Sequence, residues 1–238
     1  MSLLTLITHI QLSNLGRESY MSSLIALARS RAPVPFEVTD QNNNSDKVYL
    51  SLSWWFIYVG FGKICQHIDR TVESVLNQVS LKDSTNKDQI NEWINKIRSQ
   101  IEEALTIDEM IELIFPMNDQ TVMETLNNND QKAPGGTFIE LIHQTRETLS
   151  SEDFKNILNE SLNKNFNQLN NTIYNQLSGT MTDDRVATQL PKIKKCGQLA
   201  LQSVPNELVE NISNNDDLIA LDALILTNYE SSIENLRE

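Results

Sequence analysis

The sequence predicts an all-α protein: a single bundle of long, mostly antiparallel helices with short capping helices, spanning residues 1–238. Three observations lead there. Apolar residues recur at steps of three and four through most of the chain, the pattern of helices that bury one face. Seven glycines and six prolines are too few for a turn-dense β protein. No succession of short alternating runs separated by turn residues reads as a sheet.

The first helix is predicted from Leu3 to Arg29, apolar at Leu4, Ile7, Ile10, Leu12, Leu15, Leu24 and Leu27. Its start is uncharged but too short and too polar to cross a bilayer, which takes about 20 mostly apolar residues. No basic segment precedes it as in a secretory signal, and no transmembrane segment is expected in this chain. Ala32-Pro33-Val34-Pro35 ends the helix, because a residue before proline avoids the α region. Residues 30–46, with the run Asn42-Asn43-Asn44, are expected to form a polar loop.

The second helix, Val48 to Val79, gathers the aromatic mass. Trp54 and Trp55 are adjacent, with Phe56, Tyr58 and Phe61 close behind, and an apolar stripe continues through Ile64, Ile68, Val72 and Val75. Adjacent helical residues point about 100° apart, and each large ring buries about 150–250 Å². The pair is therefore expected to be the hub of the core, with Trp55→Ala costing about 3–5 kcal/mol.

A third helix is predicted from Lys87 to Leu105. Thr106-Ile107-Asp108-Glu109 is a capping box, opening a short helix that Phe115-Pro116 closes. Met117 to Gln131 is expected to be a loop with one helical turn, and Ala133-Pro134-Gly135-Gly136 a break before a helix from Thr137 to Leu149. The next helix carries Phe154, Leu158, Leu162, Phe166, Leu169, Ile173 and Leu177. Those steps are mostly fours, so the stripe turns by roughly 140° along a straight helix. It should pack first on one neighbour and then on another. After a loop beginning at Ser178-Gly179-Thr180, helices follow from Val186 to Val204, from Pro205 as a first helical residue, and from Asn214-Asn215-Asp216 to Tyr229.

Charge and chemistry narrow the function classes. Formal net charge is −13, and Ile101–Gln131 holds eight carboxylates with no Lys or Arg. Such faces repel phosphate backbones, so no nucleic-acid partner is expected. They read as solvated helix surface, or as docking faces for a basic partner. Cys65 and Cys196 stand far apart, as two free thiols or one bridge. Cys65, His67 and Asp69 cannot form a relay, since on one helix His67 faces away from the other two. Glu140-Leu141-Ile142-His143 matches half of a di-iron motif and lacks the other half. Ala133-Pro134-Gly135-Gly136-Thr137 lacks the spacing and lysine of a phosphate loop. No catalytic, cofactor or metal set emerges, and the chain reads as an interaction protein rather than an enzyme.

Leu52-Ser53-Trp54-Trp55-Phe56-Ile57-Tyr58-Val59-Gly60-Phe61 resembles the "LSWWLLNxGW" signature of the peroxin-3 family of peroxisomal membrane biogenesis factors. Leu52, Ser53, Trp54, Trp55 and Gly60 carry the match. Leu3-Leu4-Thr5-Leu6-Ile7 followed by His9-Ile10-Gln11-Leu12-Ser13 resembles the family's "LLxRxQLN" helix, with His9 in place of its usual Arg and Ser13 in place of its Asn. Leu190-Pro191-Lys192-Ile193 and Ser203-Val204-Pro205-Asn206-Glu207-Leu208 resemble the closing region, with Lys195 where a proline is common.

The resemblance implies a helical domain on the cytosolic face of the peroxisomal membrane. Such a domain docks peroxin-19, the carrier of new membrane proteins, through an amphipathic partner helix in an apolar groove. In yeasts the family also recruits factors for organelle inheritance and turnover. Leu3, Leu4, Ile7, Ile10 and Gln11 are the expected partner groove. Family members begin with a membrane anchor, a long helix and a tryptophan segment that contacts peroxin-19. This chain is expected to start after them, Trp93 lying on a later helix, and to be cytosolic if it has no other anchor. The alternative is a soluble helical adaptor that keeps the fold and has lost peroxin-19 docking and anchoring.

Overall fold

The computed structural model of the protein describes residues 2–30, 41–177 and 184–227. In chain order the helices are α1 (Ser2–Ser30), α2 (Gln41–Leu50), α3 (Phe61–Leu76), α4 (Lys87–Ala104), α5 (Ile107–Ile114), α6 (Asp119–Asn128), α7 (Thr137–Ser150), α8 (Glu152–Leu177), α9 (Val186–Gln202), α10 (Glu207–Ser213) and α11 (Asp216–Thr227). Two-residue strands β1 (Ser84–Thr85) and β2 (Asp184–Arg185) pair antiparallel. The fold is all-α, as its periodicity predicts.

The long α1 is the spine, packed against α2, α7, α8, α10 and α11. Leu6, Ile7 and Ile10 are fully buried along it. The buried polar residues that follow, Gln11 and Asn14, each donate one hydrogen bond, since an unmade buried one costs about 1–3 kcal/mol. Gln11 Nε2 donates to the Tyr49 carbonyl at 2.9 Å, and Asn14 Nδ2 to Thr145 Oγ1 at 3.2 Å. Where α1 crosses α11, His9 Nε2 lies 2.5 Å from Asp222 Oδ2, and Ser13 Oγ donates to Asp222 Oδ1 at 2.7 Å.

Among the described residues, two apolar cores result. The larger collects Leu6, Tyr49, Leu52, Phe115, Phe138 and Phe154, among others. The smaller consists of Ile90, Ile173, Leu177 and Cys196, with Trp93, Ile94, Leu169 and Ile193 partly buried against it. Helix α8 joins them: Phe154 and Leu158 belong to the first, Ile173 and Leu177 to the second. The rotating stripe read from its four-residue steps has this consequence. Both cysteines are free thiols.

Several local expectations need correction. The polar loop assigned to 30–46 is shorter, because residue 30 ends α1 and 41–46 belong to α2; residues 31–40 lie outside the described residues. The loop assigned to Met117–Gln131 contains the three-turn α6. Asn118 Oδ1 accepts from Thr121 N at 2.9 Å while Thr121 Oγ1 accepts from Asn118 N, a capping box with Thr where Glu or Gln is the usual signal. Val122, Thr125 and Leu126 then bury one face of that helix. Pro205 precedes the cap of α10 instead of opening the helix, and Asn206 Oδ1 accepts from Leu208 N and Val209 N. The Thr106 capping box forms as read, with Thr106 N donating to Glu109 Oε2 at 2.8 Å.

The largest correction concerns the tryptophans. Residues 41–76 are continuously helical but not uniformly wound: Ser51–Ser53 tighten into a 3₁₀ turn and Phe56–Gly60 widen into a π turn. Each change of winding resets the phase of the buried face. Tyr49, Leu52 and Phe56 therefore point into the core, Trp55 is partly buried, and Trp54 is 42% exposed. Beyond them α3 contains no fully buried residue.

Candidate docking site

Each signature residue has a distinct physical position. Leu52 is fully buried. Ser53 Oγ donates to the Leu50 carbonyl at 2.9 Å, within the tightened turn. Trp55 Nε1 donates to the Glu112 carbonyl at 2.9 Å, tying the wound segment to α5. Gly60 lies directly against α5: a Cβ there would sit 1.8 Å from the Leu113 carbonyl oxygen. Absence of a side chain is what lets the two backbones approach. Trp54 turns outward and stacks on Tyr58 with ring centroids 5.1 Å apart. Ile57 and Phe61 are exposed beside them.

The helical run 45–76 is long and apolar enough to cross a membrane by length and composition, with 28% of its most apolar window buried inside the fold. The expectation of no transmembrane segment rests on the N-terminal stretch and does not weigh this run. Val48, Tyr49, Leu52 and Phe56 within it are built into the larger core.

The residues expected to form a partner groove are placed otherwise. Ile7, Ile10 and Gln11 are buried, and Leu3 and Leu4 pack against the larger core. Helix α1, which carries them, packs against α2, α7, α8, α10 and α11. Ser13, His9 and Asp222 superficially resemble a hydrolytic set, yet the carboxylate lies between the other two. The serine hydroxyl contacts Asp222 and the His9 carbonyl, so the cluster braces α1 to α11. Glu140 and His143 are both exposed on α7.

An apolar cavity of about 340 Å³ opens instead between the end of α3, α4 and α9. Trp93, Ile94 and Ile97 line it from α4, Leu190 and Ile193 from α9, and Leu81 from the turn after α3. The local backbone explains why it exists. The β1–β2 pair fastens the entry of α9 to the turn after α3, and Val186 N and Ala187 N donate to the Asp83 and Leu81 carbonyls at 3.0 and 3.1 Å. Those bonds satisfy two amides that the start of a helix would leave unpaired. They also hold α9 at a fixed distance from α4. Pro191 sits inside α9 and cannot donate back to Ala187, so the helix departs from a regular ladder beside the cavity.

One polar side chain belongs to the wall. Gln189 is 3% exposed, and its Nε2 donates to Asp184 Oδ2 at 2.9 Å. Its Oε1 is buried without a hydrogen-bond partner. Sequence reasoning singled out Leu190-Pro191-Lys192-Ile193 for its resemblance but gave no sign of the cavity. Its walls come from stretches about a hundred residues apart, and their apolar positions read individually as ordinary core.

Comparison with known proteins adds lineage. The family model described as Peroxin-3 matches residues 1–228. Peroxisomal biogenesis factor 3 of Yarrowia lipolytica is 21% identical, the alignment covering 96% of this chain and 64% of the relative. Peroxisomal biogenesis factor 3 of Debaryomyces hansenii is 29% identical over 65% of this chain and 38% of the relative. Peroxisomal membrane protein PEX3 of Komagataella phaffii is 28% identical over 42% of this chain and 24% of the relative. The chain thus spans less than two thirds of the length of these curated relatives.

Proposed function

The chain belongs to the peroxin-3 family, and from that premise we propose that it serves in peroxisome biogenesis as a docking platform at the peroxisomal membrane. Its partner in this reading is peroxin-19 carrying newly made membrane proteins, received on the cytosolic face of the organelle.

The apolar cavity between α4 and α9 is the observation that carries the reading. An amphipathic helix binds by inserting a few apolar side chains into such a depression, while its polar face stays in water. A volume of about 340 Å³ suits one large anchor or two smaller ones. Helix α9 beside it carries Lys192, Lys194 and Lys195 and no carboxylate, so a partner with acidic flanks is favoured on that side.

The test is the affinity of this chain for the N-terminal helix of its own organism's peroxin-19, before and after Leu190→Asp. Leu190 is 42% exposed on the rim, so the substitution spares the fold, which an unchanged melting temperature verifies. The expected loss is at least about tenfold, the cost of setting a carboxylate where an apolar anchor must land. No binding by the folded chain at tens of micromolar, or an affinity indifferent to Leu190→Asp, overturns the reading.

A further inference from the structure

We infer that an acid-walled groove along α11 docks an amphipathic segment with basic flanks, at a site separate from the α4–α9 cavity. The inference does not depend on the reading of that cavity.

Two adjoining cavities of about 420 and 390 Å³ form the groove, and Asp153, Leu221 and Leu224 line both. Its floor is apolar, with Ile157 from α8 and Leu221, Leu224 and Ile225 from α11. From Asp217 to Ile225 it follows α11 for about 12 Å at 1.5 Å per residue, the length of about two turns of a partner helix. The composition of α11 points to a missing neighbour. Leu218, Leu221 and Ile225 are buried, while Ile219, Leu224 and Leu226 on the same helix are exposed. A helix apolar on every face is ordinarily covered on every face, and here part of it is left in water.

Charge selects the occupant. Glu140 and Glu147 from α7, Asp153 and Glu160 from α8, and Asp217 from α11 stand exposed along the walls. Among the described residues, none of the five has an ion-pair partner. Arg17 is the one cation in the lining, and its Nη1 donates to the Ile225 carbonyl at 3.5 Å. Neither α10 nor α11 holds a Lys or Arg. Carboxylates gathered around a low-dielectric floor focus a negative potential into the groove. A neutral apolar segment would leave that potential uncompensated, and an acidic one would be repelled. Lys and Arg satisfy both parts of the site, because their stems lie along apolar surface while their heads reach the carboxylates. A helix with apolar anchors three and four residues apart, flanked by such side chains, is the matching partner.

The experiment measures binding of three peptides of equal length to the full chain. One is amphipathic and built of leucine and lysine, one has glutamate for lysine, and one has serine for leucine. The Leu/Lys peptide should bind at least about tenfold tighter than either of the others. Glu140→Gln, Glu147→Gln and Asp153→Asn together should weaken it about tenfold. Leu224→Ala should weaken it roughly three- to tenfold, the lost burial of a half-exposed leucine. Glu103→Gln, Glu112→Gln and Glu124→Gln make the same change of charge on another acidic stretch and should leave the affinity within about twofold. Thermal unfolding verifies the fold of each variant. Equal losses from the two triple variants would assign the attraction to overall charge and overturn the inference. So would indifference to Leu224→Ala, or no preference for the Leu/Lys peptide. Binding of no peptide, the result if a second copy or residues 228–238 of this chain fill the groove, overturns it as well.

Discussion

Replacing Gly60 by alanine tests the core of the structural argument with one methyl group. The new Cβ would meet the Leu113 carbonyl oxygen at 1.8 Å, the Leu113 carbonyl carbon at 2.8 Å and the Phe56 ring at 3.2 Å. Two of those three obstacles are backbone, so no rotamer change relieves them. Restoring ordinary contact at 3.4 Å requires the π turn and α5 to separate by about 1.6 Å. Such a shift breaks the Trp55 Nε1 bond to the Glu112 carbonyl and loosens Phe56 against the larger core. Overpacking of this kind costs about 1–3 kcal/mol, and the lost hydrogen bond adds about 1 kcal/mol. Alanine's better helix propensity returns up to about 1 kcal/mol, leaving a net loss of about 1–4 kcal/mol. Thermal unfolding followed by circular dichroism should show a fall of roughly 2–16 °C for a domain of this size. Gly16 provides the control: nothing lies within 4 Å of a Cβ built there, so Gly16→Ala should raise stability by about 0.5–1 kcal/mol. A Gly60→Ala change within about 0.5 kcal/mol of native would refute the close approach of the π turn to α5.

Other perturbations separate residues that the sequence alone treats alike. Trp54→Ala should cost under about 1 kcal/mol because the ring is largely outside the core, whereas Trp55→Ala should cost about 2 kcal/mol through partial burial and the lost bond to Glu112; chemical unfolding of both variants gives the comparison. Tyr49 is fully buried with its hydroxyl on Thr145, and burial pushes its phenol up to about 12. An ultraviolet titration should therefore show one of the five tyrosines refusing to ionise until the protein unfolds, and Tyr49→Phe should remove that step at a cost of about 1–2 kcal/mol. Burial, reinforced by Asp46 and Glu140 and opposed by Arg17, holds the Glu18 carboxyl above its ordinary value of 4.5. A raised carboxyl destabilises the fold once ionised, and the cost fades as pH falls through its folded value. Glu18→Gln should thus be more stable than native at neutral pH, with the advantage disappearing below about pH 4 in a series of urea melts.

Much of the architecture was legible because it follows from local chemistry. Thr106 with Glu109 writes a helix start in four residues, and Pro134-Gly135-Gly136 writes a break that no competing pattern disguises. The rotating stripe of α8 even forecast two packing environments, since four-residue steps outrun the helical repeat whatever surrounds them. The α6 cap was missed because its third residue is Thr121, which seldom signals a helix, although its hydroxyl completes the same reciprocal bonds. The tryptophans were misplaced for a different reason. A face predicted at a uniform 100° per residue cannot survive a 3₁₀ turn and a π turn within ten residues. Those changes of winding are set by contact with α5, where Gly60 and Trp55 meet Leu113 and Glu112, fifty residues further on.

The apolar cavity between α4 and α9 illustrates the same limit at larger scale. Trp93, Ile94 and Ile97 have the spacing of an ordinary core stripe, and so do Val186, Leu190 and Ile193. What leaves space between them is the fastening of α9 by Asp83 and Leu81 carbonyls and by a strand pair two residues long. Short strands of Ser-Thr and Asp-Arg carry no hydrophobic alternation, so periodicity has nothing to register. Gln189 is equally silent in sequence, being a polar residue in an amphipathic helix. Only its burial and the bond from its amide nitrogen to Asp184 set it apart from a surface residue. Apolar spacing therefore specifies which faces turn inward, while the hydrogen bonds between distant segments decide where the inward faces fail to meet.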